Sequence, residues 1–134
     1  MRKRLPIKWV RDLAKKDYNK GNSCEICEID EGLQLHHPHS MTDLFVSWCE
    51  RKGYSYATDE DVIAIRQEFI DEHRYELYED VITLCKDCHE WLHKVYGLKP
   101  DPSTVEKQKR WVKRKHDKLA KRITLSGAVH SSTV

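Results

Sequence analysis

Four cysteines in two pairs of identical spacing are the first residues of this sequence that could bind a metal ion. Cys24 and Cys27 form one Cys-x-x-Cys pair, and Cys85 and Cys88 form the other. Thiolates in two such pairs are typical of a closed, tetrahedral structural Zn²⁺ site. Cys49 stands alone at an apolar helix position and is expected to be buried. Five cysteines arranged in this way favour metal ligation in a reducing compartment over a disulfide framework, which predicts a cytoplasmic protein.

Histidines follow both cysteine pairs along the chain. His89 and His93 are four residues apart on a predicted helix, so they share one face and are spaced to grip a single ion. His89 follows Cys88 directly, and its side chain therefore leaves the helix about 100° around from the thiolate. If the four cysteines complete a zinc site, these histidines are left for a second site. A further cluster, His-His-Pro-His at residues 36–39, follows the first cysteine pair.

Two strands and a helix are needed to bring these side chains together. The run "GLQLHH" alternates apolar and polar residues as a short strand does, and "DVITLC" is a second short β-rich run. The segment "DCHEWLHKVYG" is predicted to be a helix that ends at Gly97. Pairing of the two strands would give a ββα unit from residues 24–37 and 79–97, with three or four imidazoles converging on one open site.

Helices are predicted on both sides of this unit and inside it. The first inserted helix would be capped by Thr42 and Asp43, the second by Thr58, and the last helix would open with a capping box, Ser103-x-x-Glu106. The segments are a helical insertion at 41–75, basic helices at 6–17 and 103–122, and a flexible tail at 123–134. We therefore predict an α+β, mostly helical fold with a single domain over residues 1–122.

Charge is strongly segregated along the chain, although the net charge is only +2. Residues 1–20 carry eight basic and two acidic residues (+6), and residues 99–122 carry ten and three (+7). The middle, 21–98, carries six and seventeen (−11). Basic arms around an acidic centre favour contact with a polyanion such as DNA; the alternative is that both arms are solvated, lysine-rich surface helices. The candidate DNA contacts are Arg2, Lys3, Arg4, Lys109, Arg110, Lys113 and Arg114. No apolar run approaches the roughly 20 residues of a membrane span, so no membrane partner is expected.

The pieces "CEIC", "LQLHH", "EDVITLC" and "CHEWLH", in this order, resemble the HNH, or ββα-metal, endonuclease family. The resemblance covers residues 24–37 and 79–93, with an unusually long helical insertion between them. It implies that His36 and His89 bind a catalytic metal ion and that His37 is the general base. His93 matches a second helix ligand of the colicin-type DNase branch.

Asp80 departs from the family pattern, in which an asparagine usually precedes the second strand. A carboxylate only accepts hydrogen bonds, so Asp80 could take the proton on one ring nitrogen of His37 and raise the basicity of that ring. The alternative is an ordinary acidic residue in a turn. Among the other side chains, Trp91 is expected to pack in the core, and His39 and His73 are expected to be exposed.

The resemblance implies a metal-dependent endonuclease that hydrolyses DNA phosphodiester bonds, with His37 activating water. It also implies a structural Zn²⁺ and a catalytic divalent ion, which could be Mn²⁺, Ni²⁺, Co²⁺, Mg²⁺ or Zn²⁺. Small free-standing proteins of this kind resemble those of phages, which would place this one in the host cytoplasm. Two alternatives stay open: a zinc-stabilised nucleic-acid-binding module without catalysis, and an adaptor or inhibitor that has kept the fold and lost the activity.

Overall fold

The structure, a computed structural model, describes the backbone of residues 6–131 and the side chains of residues 6–122. Its elements, in chain order, are α1 (Lys8–Ala14), β1 (Leu33–His36), α2 (Met41–Lys52), α3 (Asp59–Glu72), β2 (Ile82–Cys85), α4 (Lys86–Tyr96) and α5 (Val105–Ser131). Short 3₁₀ turns cover Lys15–Asp17 and Pro102–Thr104, and a π-helical turn covers Tyr75–Glu79. The prediction of a mostly helical α+β fold is confirmed. Within residues 6–131, no helix is long and apolar enough to cross a membrane.

The two strands pair as an antiparallel sheet. In its register Leu33 lies opposite Cys85, and His36 lies opposite Ile82. All four residues of β2 are buried, which explains why this strand reads as a continuous β-rich run rather than an alternating one. Because α4 begins directly after Cys85, the sheet and this helix form the predicted ββα unit.

The inserted helices pack with α1 around an aromatic cluster. Phe45 and Trp48 from α2 meet Phe69 from α3, with ring centroids 5.1 and 5.4 Å from that of Phe69. Such edge-to-face pairs add to the stabilisation that burial alone provides. A side chain of α3 also contacts the main chain of α1, since Nη1 of Arg66 donates to the carbonyl oxygen of Trp9 at 3.0 Å. The insertion therefore carries its own hydrophobic core beside the ββα unit.

Helix ends follow the sequence signals at some positions and differ at others. Thr58 forms the predicted N-cap of α3, within a capping box that Asp61 completes. The N-cap of α2 is Ser40, whose hydroxyl accepts from the backbone N–H of Asp43, so the predicted cap at Thr42 and Asp43 is wrong by two residues. Gly53 ends α2 with a φ of 74°, a conformation that favours glycine.

The last helix also differs from the prediction at both ends. Asp101, rather than Ser103, caps the turn that precedes α5, because its carboxylate accepts from the backbone N–H of Ser103 at 2.9 Å. The helix then continues to Ser131 instead of ending near Arg122. The chain offers no glycine or proline between Arg122 and Gly127 that would stop it.

One face of α5 is buried against the ββα unit. Trp111 and Val112 join Leu84, Leu92 and Ile26 in a second hydrophobic cluster, which also contains three of the buried cysteines, Cys24, Cys85 and Cys88. The basic helix is therefore part of the fold and not a detached arm. Two other side chains differ from expectation: Trp91 is 42% exposed, and His73 is 7% exposed, with its ring stacked on that of Phe69.

Candidate metal centres and catalytic cleft

The four paired cysteines meet at one point. The Sγ atoms of Cys24, Cys27, Cys85 and Cys88 all lie within 4.8 Å of one another, and those of Cys27 and Cys85 are 3.7 Å apart. A tetrahedral zinc ion with Zn–S bonds of about 2.3 Å would hold its sulfurs about 3.8 Å apart. All five cysteines fall within the described residues, and none of them forms a disulfide. This cluster could hold a metal ion, and the spacing of its sulfurs fits zinc.

Backbone N–H groups donate to two sulfurs of the cluster, those of Cys24 and Cys85. Sγ of Cys85, the N-cap of α4, accepts from the N–H of Cys88 at 3.4 Å, so this sulfur lies at the positive end of a helix. Burial raises the pKa of Cys24, but hydrogen bonds from backbone N–H groups, including that of Ile26, outweigh it and bring this pKa to about 7. Burial raises the pKa of Cys27 and Cys88, so these two thiols would lose their protons only as a metal ion binds.

A second group of ligand atoms converges beside the first. Nδ1 of His36 lies 3.1 Å from Nε2 of His89, which in turn lies 3.0 Å from Nε2 of His93. His36 ends β1, and the other two histidines lie one turn apart on α4, so strand pairing brings the three rings together as predicted. These three side chains could hold one metal ion.

The opposite nitrogen of each ring faces an oxygen acceptor. Nε2 of His36 donates to Oε1 of Gln108 at 2.7 Å, and Nδ1 of His89 donates to Oε1 of Gln34 at 2.8 Å. Nδ1 of His93 donates to the carbonyl oxygen of Gly97 at 2.7 Å. These acceptors fix the tautomers, so the three converging nitrogens carry lone pairs and no protons. Three lone pairs at such distances repel one another unless a cation lies among them, and imidazole donors suit a transition metal ion.

Burial keeps His36 and His89 neutral. It lowers the pKa of His36 to about 3, although the hydrogen bond to Gln108 raises it in part. The pKa of His89 falls to about 4, again mainly because of burial and also because a proton on His93 would repel one on His89. Only the neutral ring can offer a lone pair to a metal ion, so the environment favours the ligand form at neutral pH.

The three histidines open into a cleft of about 370 Å³. His37 lines the same cleft, as do two cations, Arg11 from α1 and Lys99 from the loop after α4. None of the described residues that line it is acidic. A cleft with cations, neutral imidazoles and no carboxylate suits an anionic ligand such as a phosphodiester.

His37 is held in one orientation and one tautomer. Its Nε2 donates to the carbonyl oxygen of Leu77 at 2.9 Å, which leaves Nδ1 as the proton acceptor of the ring. Leu77 lies in the π-helical turn, in which the N–H of Asp80 donates to the carbonyl oxygen of Tyr75, five residues earlier. The ring of Tyr18 packs against His37 with centroids 5.0 Å apart. Burial lowers the pKa of His37 below its ordinary value.

Asp80 does not contact His37. Its Oδ2 accepts from Nε2 of His39 at 2.7 Å, and its Oδ1 pairs with Nζ of Lys109 at 2.7 Å. Burial alone would raise the pKa of Asp80, but Lys109 and His39 outweigh it and hold this pKa below its usual range. The family resemblance suggested that Asp80 accepts a proton of His37 and orients its ring. In the structure the carbonyl oxygen of Leu77 accepts that proton instead. His39, expected to be an exposed bystander, is instead half-buried in this network.

The candidate DNA contacts have different environments. Arg110, Lys113 and Arg114 are exposed on α5. Lys109 is partly buried and is paired with Asp80, so it links α5 to the end of the π-helical turn. The other three candidates, Arg2, Lys3 and Arg4, lie outside the described residues.

Sequence reasoning missed the residues that orient the histidines. Gln108 is completely buried on α5, Gln34 lies on β1, and Leu77 contributes only a carbonyl group. A signal for Gln108 exists: it occupies the stripe of α5 that Val105, Trp111 and Val112 otherwise fill with apolar side chains. A glutamine in an apolar stripe needs hydrogen-bond partners inside the protein. Gln34 and the Leu77 carbonyl leave no comparable pattern in the sequence.

The fold and the site define a small α+β protein in which one ββα unit carries two candidate metal centres. One of them lies in a cleft whose lining, among the described residues, includes no carboxylate. The chain belongs to the nicking endonuclease family: the model of the phage T5 nicking endonuclease family matches residues 1–124. Membership implies a phage-type endonuclease that cleaves DNA, so the prediction of a DNA-cleaving enzyme is confirmed. No solved structure matches this chain.

Proposed function

We propose that this protein is a metal-dependent HNH endonuclease that nicks DNA, with His37 as its general base. One observation carries the proposal: three histidine nitrogens with fixed lone pairs converge beside His37, in a cleft whose lining within residues 6–122 includes no carboxylate. The order β1, β2, α4 supports the proposal, because a ββα unit is what the resemblance to the HNH family implies. The four-cysteine cluster is proposed to hold a structural Zn²⁺, which would fix the loop that carries Cys24 and Cys27 to β2 and α4.

The histidines divide the chemistry between them. His36, His89 and His93 would hold a divalent ion, which supplies positive charge for the phosphoryl oxygens and the departing sugar oxygen. His37 would accept a proton from the attacking water on Nδ1, because its Nε2–H is engaged with Leu77. The packing of Tyr18 against the ring limits its rotation, so that Nδ1 stays available in one direction.

Cations in the cleft and on α5 are proposed to hold the substrate. Arg11 and Lys99 line the cleft and would contact the phosphates next to the scissile bond. Arg110, Lys113 and Arg114, with Arg2, Lys3 and Arg4, are proposed to contact the backbone farther away. Such contacts give affinity with little dependence on base sequence. Asp80 and Lys109 are proposed to position the loop that carries His39.

Plasmid nicking tests the proposal. Purified protein with added divalent ion should convert supercoiled plasmid to the open circular form. The variant His37→Ala should fold, keep its zinc and bind DNA, while the nicking rate falls by roughly two to four orders of magnitude. His39→Ala is the matched control, since it removes a neighbouring histidine and should keep the rate within about tenfold. Near-normal nicking by His37→Ala would show that His37 is not the base.

A further inference from the structure

A second groove lies on the side of α4 away from the histidines. Trp91 follows His89 by two residues, so its side chain leaves the helix about 200° around from the histidine face. The groove has a volume of about 260 Å³. Its lining residues are Ile26, Trp91, Lys115, Lys118, Leu119 and Arg122.

The tryptophan in this groove is exposed and yet held in place. Trp91 is 42% exposed, while its ring and that of Trp111 form an edge-to-face pair with centroids 4.9 Å apart. Nζ of Lys115 lies 5.2 Å from the centre of the Trp91 ring. A large apolar ring that is held at the surface in this way loses little side-chain entropy when a ligand binds to it.

The charge and the chemistry of the lining point to a nucleotide. The lining includes three cations, and none of its described residues is acidic, which favours an anionic ligand. A site for phosphate alone needs no apolar surface, whereas Trp91, Ile26 and Leu119 supply one. Aromatic rings beside cations are the combination that proteins use to bind unpaired nucleotides, because every base has a flat face that can stack.

We propose that this groove binds an unpaired nucleotide of a DNA strand outside the catalytic cleft. The base would stack on Trp91, and the adjoining phosphates would contact Lys118 and Arg122. This inference rests on the proposed function, since it assigns a further site for the same substrate. It implies that the enzyme holds DNA more tightly where one strand is unpaired next to α4.

Binding of two DNA forms by matched variants tests the groove. The ligands are a short single-stranded oligonucleotide and the duplex of the same sequence, with Kd measured by fluorescence anisotropy without added divalent ion. We expect Trp91→Leu to weaken single-strand binding about tenfold and duplex binding less than about twofold. Trp91→Phe keeps an aromatic face and should stay within about threefold of the unaltered protein for both ligands. Ile63→Ala, which alters a residue of 41% exposure on α3, is the control.

A second variant does not depend on the tryptophan. Arg122 is exposed, so Arg122→Ala leaves the core intact. The logarithm of the single-strand binding constant falls linearly with the logarithm of the salt concentration. Arg122→Ala should make this slope less steep by about 0.7, whereas Lys86→Ala should leave it unchanged. The inference is overturned if Trp91→Leu and Arg122→Ala leave single-strand binding unchanged. Equal losses for both DNA forms with Trp91→Leu would also overturn it. If the unaltered protein nicks plasmid but the variants give either of these results, only the nucleotide site in the groove is refuted. If the unaltered protein neither nicks plasmid nor binds DNA, the proposed function is refuted as well.

Discussion

Nε2 of His36 donates a 2.7 Å hydrogen bond to Oε1 of Gln108, which lies on the last helix of the fold. The other end of the same amide donates to the carbonyl oxygen of Pro38 at 3.1 Å and to Oγ1 of Thr104 at 3.0 Å. The amide cannot turn around without losing both of these bonds. Its oxygen must therefore face His36, and Nδ1 of His36 must be the nitrogen that offers a lone pair.

Gln108→Met should weaken the catalytic metal site while leaving the zinc site intact. The substitution removes the acceptor that fixes the tautomer of His36, and loss of such a partner typically costs about 10- to 100-fold in metal affinity. We expect the divalent ion concentration for half-maximal nicking to rise at least about tenfold. Gln67→Met, on the exposed face of α3, is the control and should leave this concentration unchanged. An unchanged value for Gln108→Met would show that the glutamine serves packing alone.

Cys85→Ser should lose the bound zinc and most of the stability of the fold. Cys85 belongs to β2, caps α4 and contributes a sulfur to the cluster. Since the binding energy of a structural metal ion is also folding energy, the free energy of unfolding should fall by more than about 4 kcal/mol. Elemental analysis should find about one tightly held zinc per chain in the unaltered protein.

Cys49→Ser is the matched control for this experiment. Cys49 is completely buried but lies in the aromatic cluster of the insertion, away from the other sulfurs. A hydroxyl there should cost about 1–3 kcal/mol and leave the zinc content unchanged. A stably folded, zinc-free Cys85→Ser protein would contradict a structural role for the cluster.

The ligand clusters were predictable because ligand chemistry depends on local spacing. Two Cys-x-x-Cys pairs and a histidine pair one helical turn apart each indicate a site, and strand pairing then brings these local signals together. The partners of the ligands could not be predicted in the same way. Gln108 reaches His36 across 72 positions of sequence, and only the packing of α5 decides which of its residues faces the site.

The expected contact between Asp80 and His37 is absent, because each side chain has a different partner. The resemblance to the HNH family implies that Asp80 stands where asparagine is usual, but Lys109 offers this carboxylate an electrostatic partner. The π-helical turn before β2 presents the carbonyl of Leu77 to His37 instead. Neither the turn nor the cation, which comes from another part of the chain, can be inferred from the motif alone.

The pH dependence of nicking should report a base with a lowered pKa. Burial lowers the pKa of His37 below its ordinary value of 6.5, although the Leu77 carbonyl raises it in part. A general base must be unprotonated, so kcat/KM should rise as pH increases through this pKa and then level off. At divalent ion concentrations that saturate the site at every pH, we expect the midpoint of the acid limb below pH 6.5. A midpoint above 6.5 would contradict a buried histidine as the base.

The choice of catalytic ion should follow from the three imidazole ligands. Neutral nitrogen donors favour Mn²⁺, Co²⁺, Ni²⁺ or Zn²⁺ over Mg²⁺, which prefers oxygen ligands and gives up its waters reluctantly. We therefore expect Mn²⁺, Co²⁺ or Ni²⁺ to support nicking at lower concentrations than Mg²⁺. His36→Asp replaces one nitrogen with a carboxylate and should shift the preference toward Mg²⁺. The measurement is a metal titration of plasmid nicking after loosely bound ions have been removed. If the unaltered protein works best with Mg²⁺ and His36→Asp shows no shift toward it, then His36, His89 and His93 do not hold the catalytic ion.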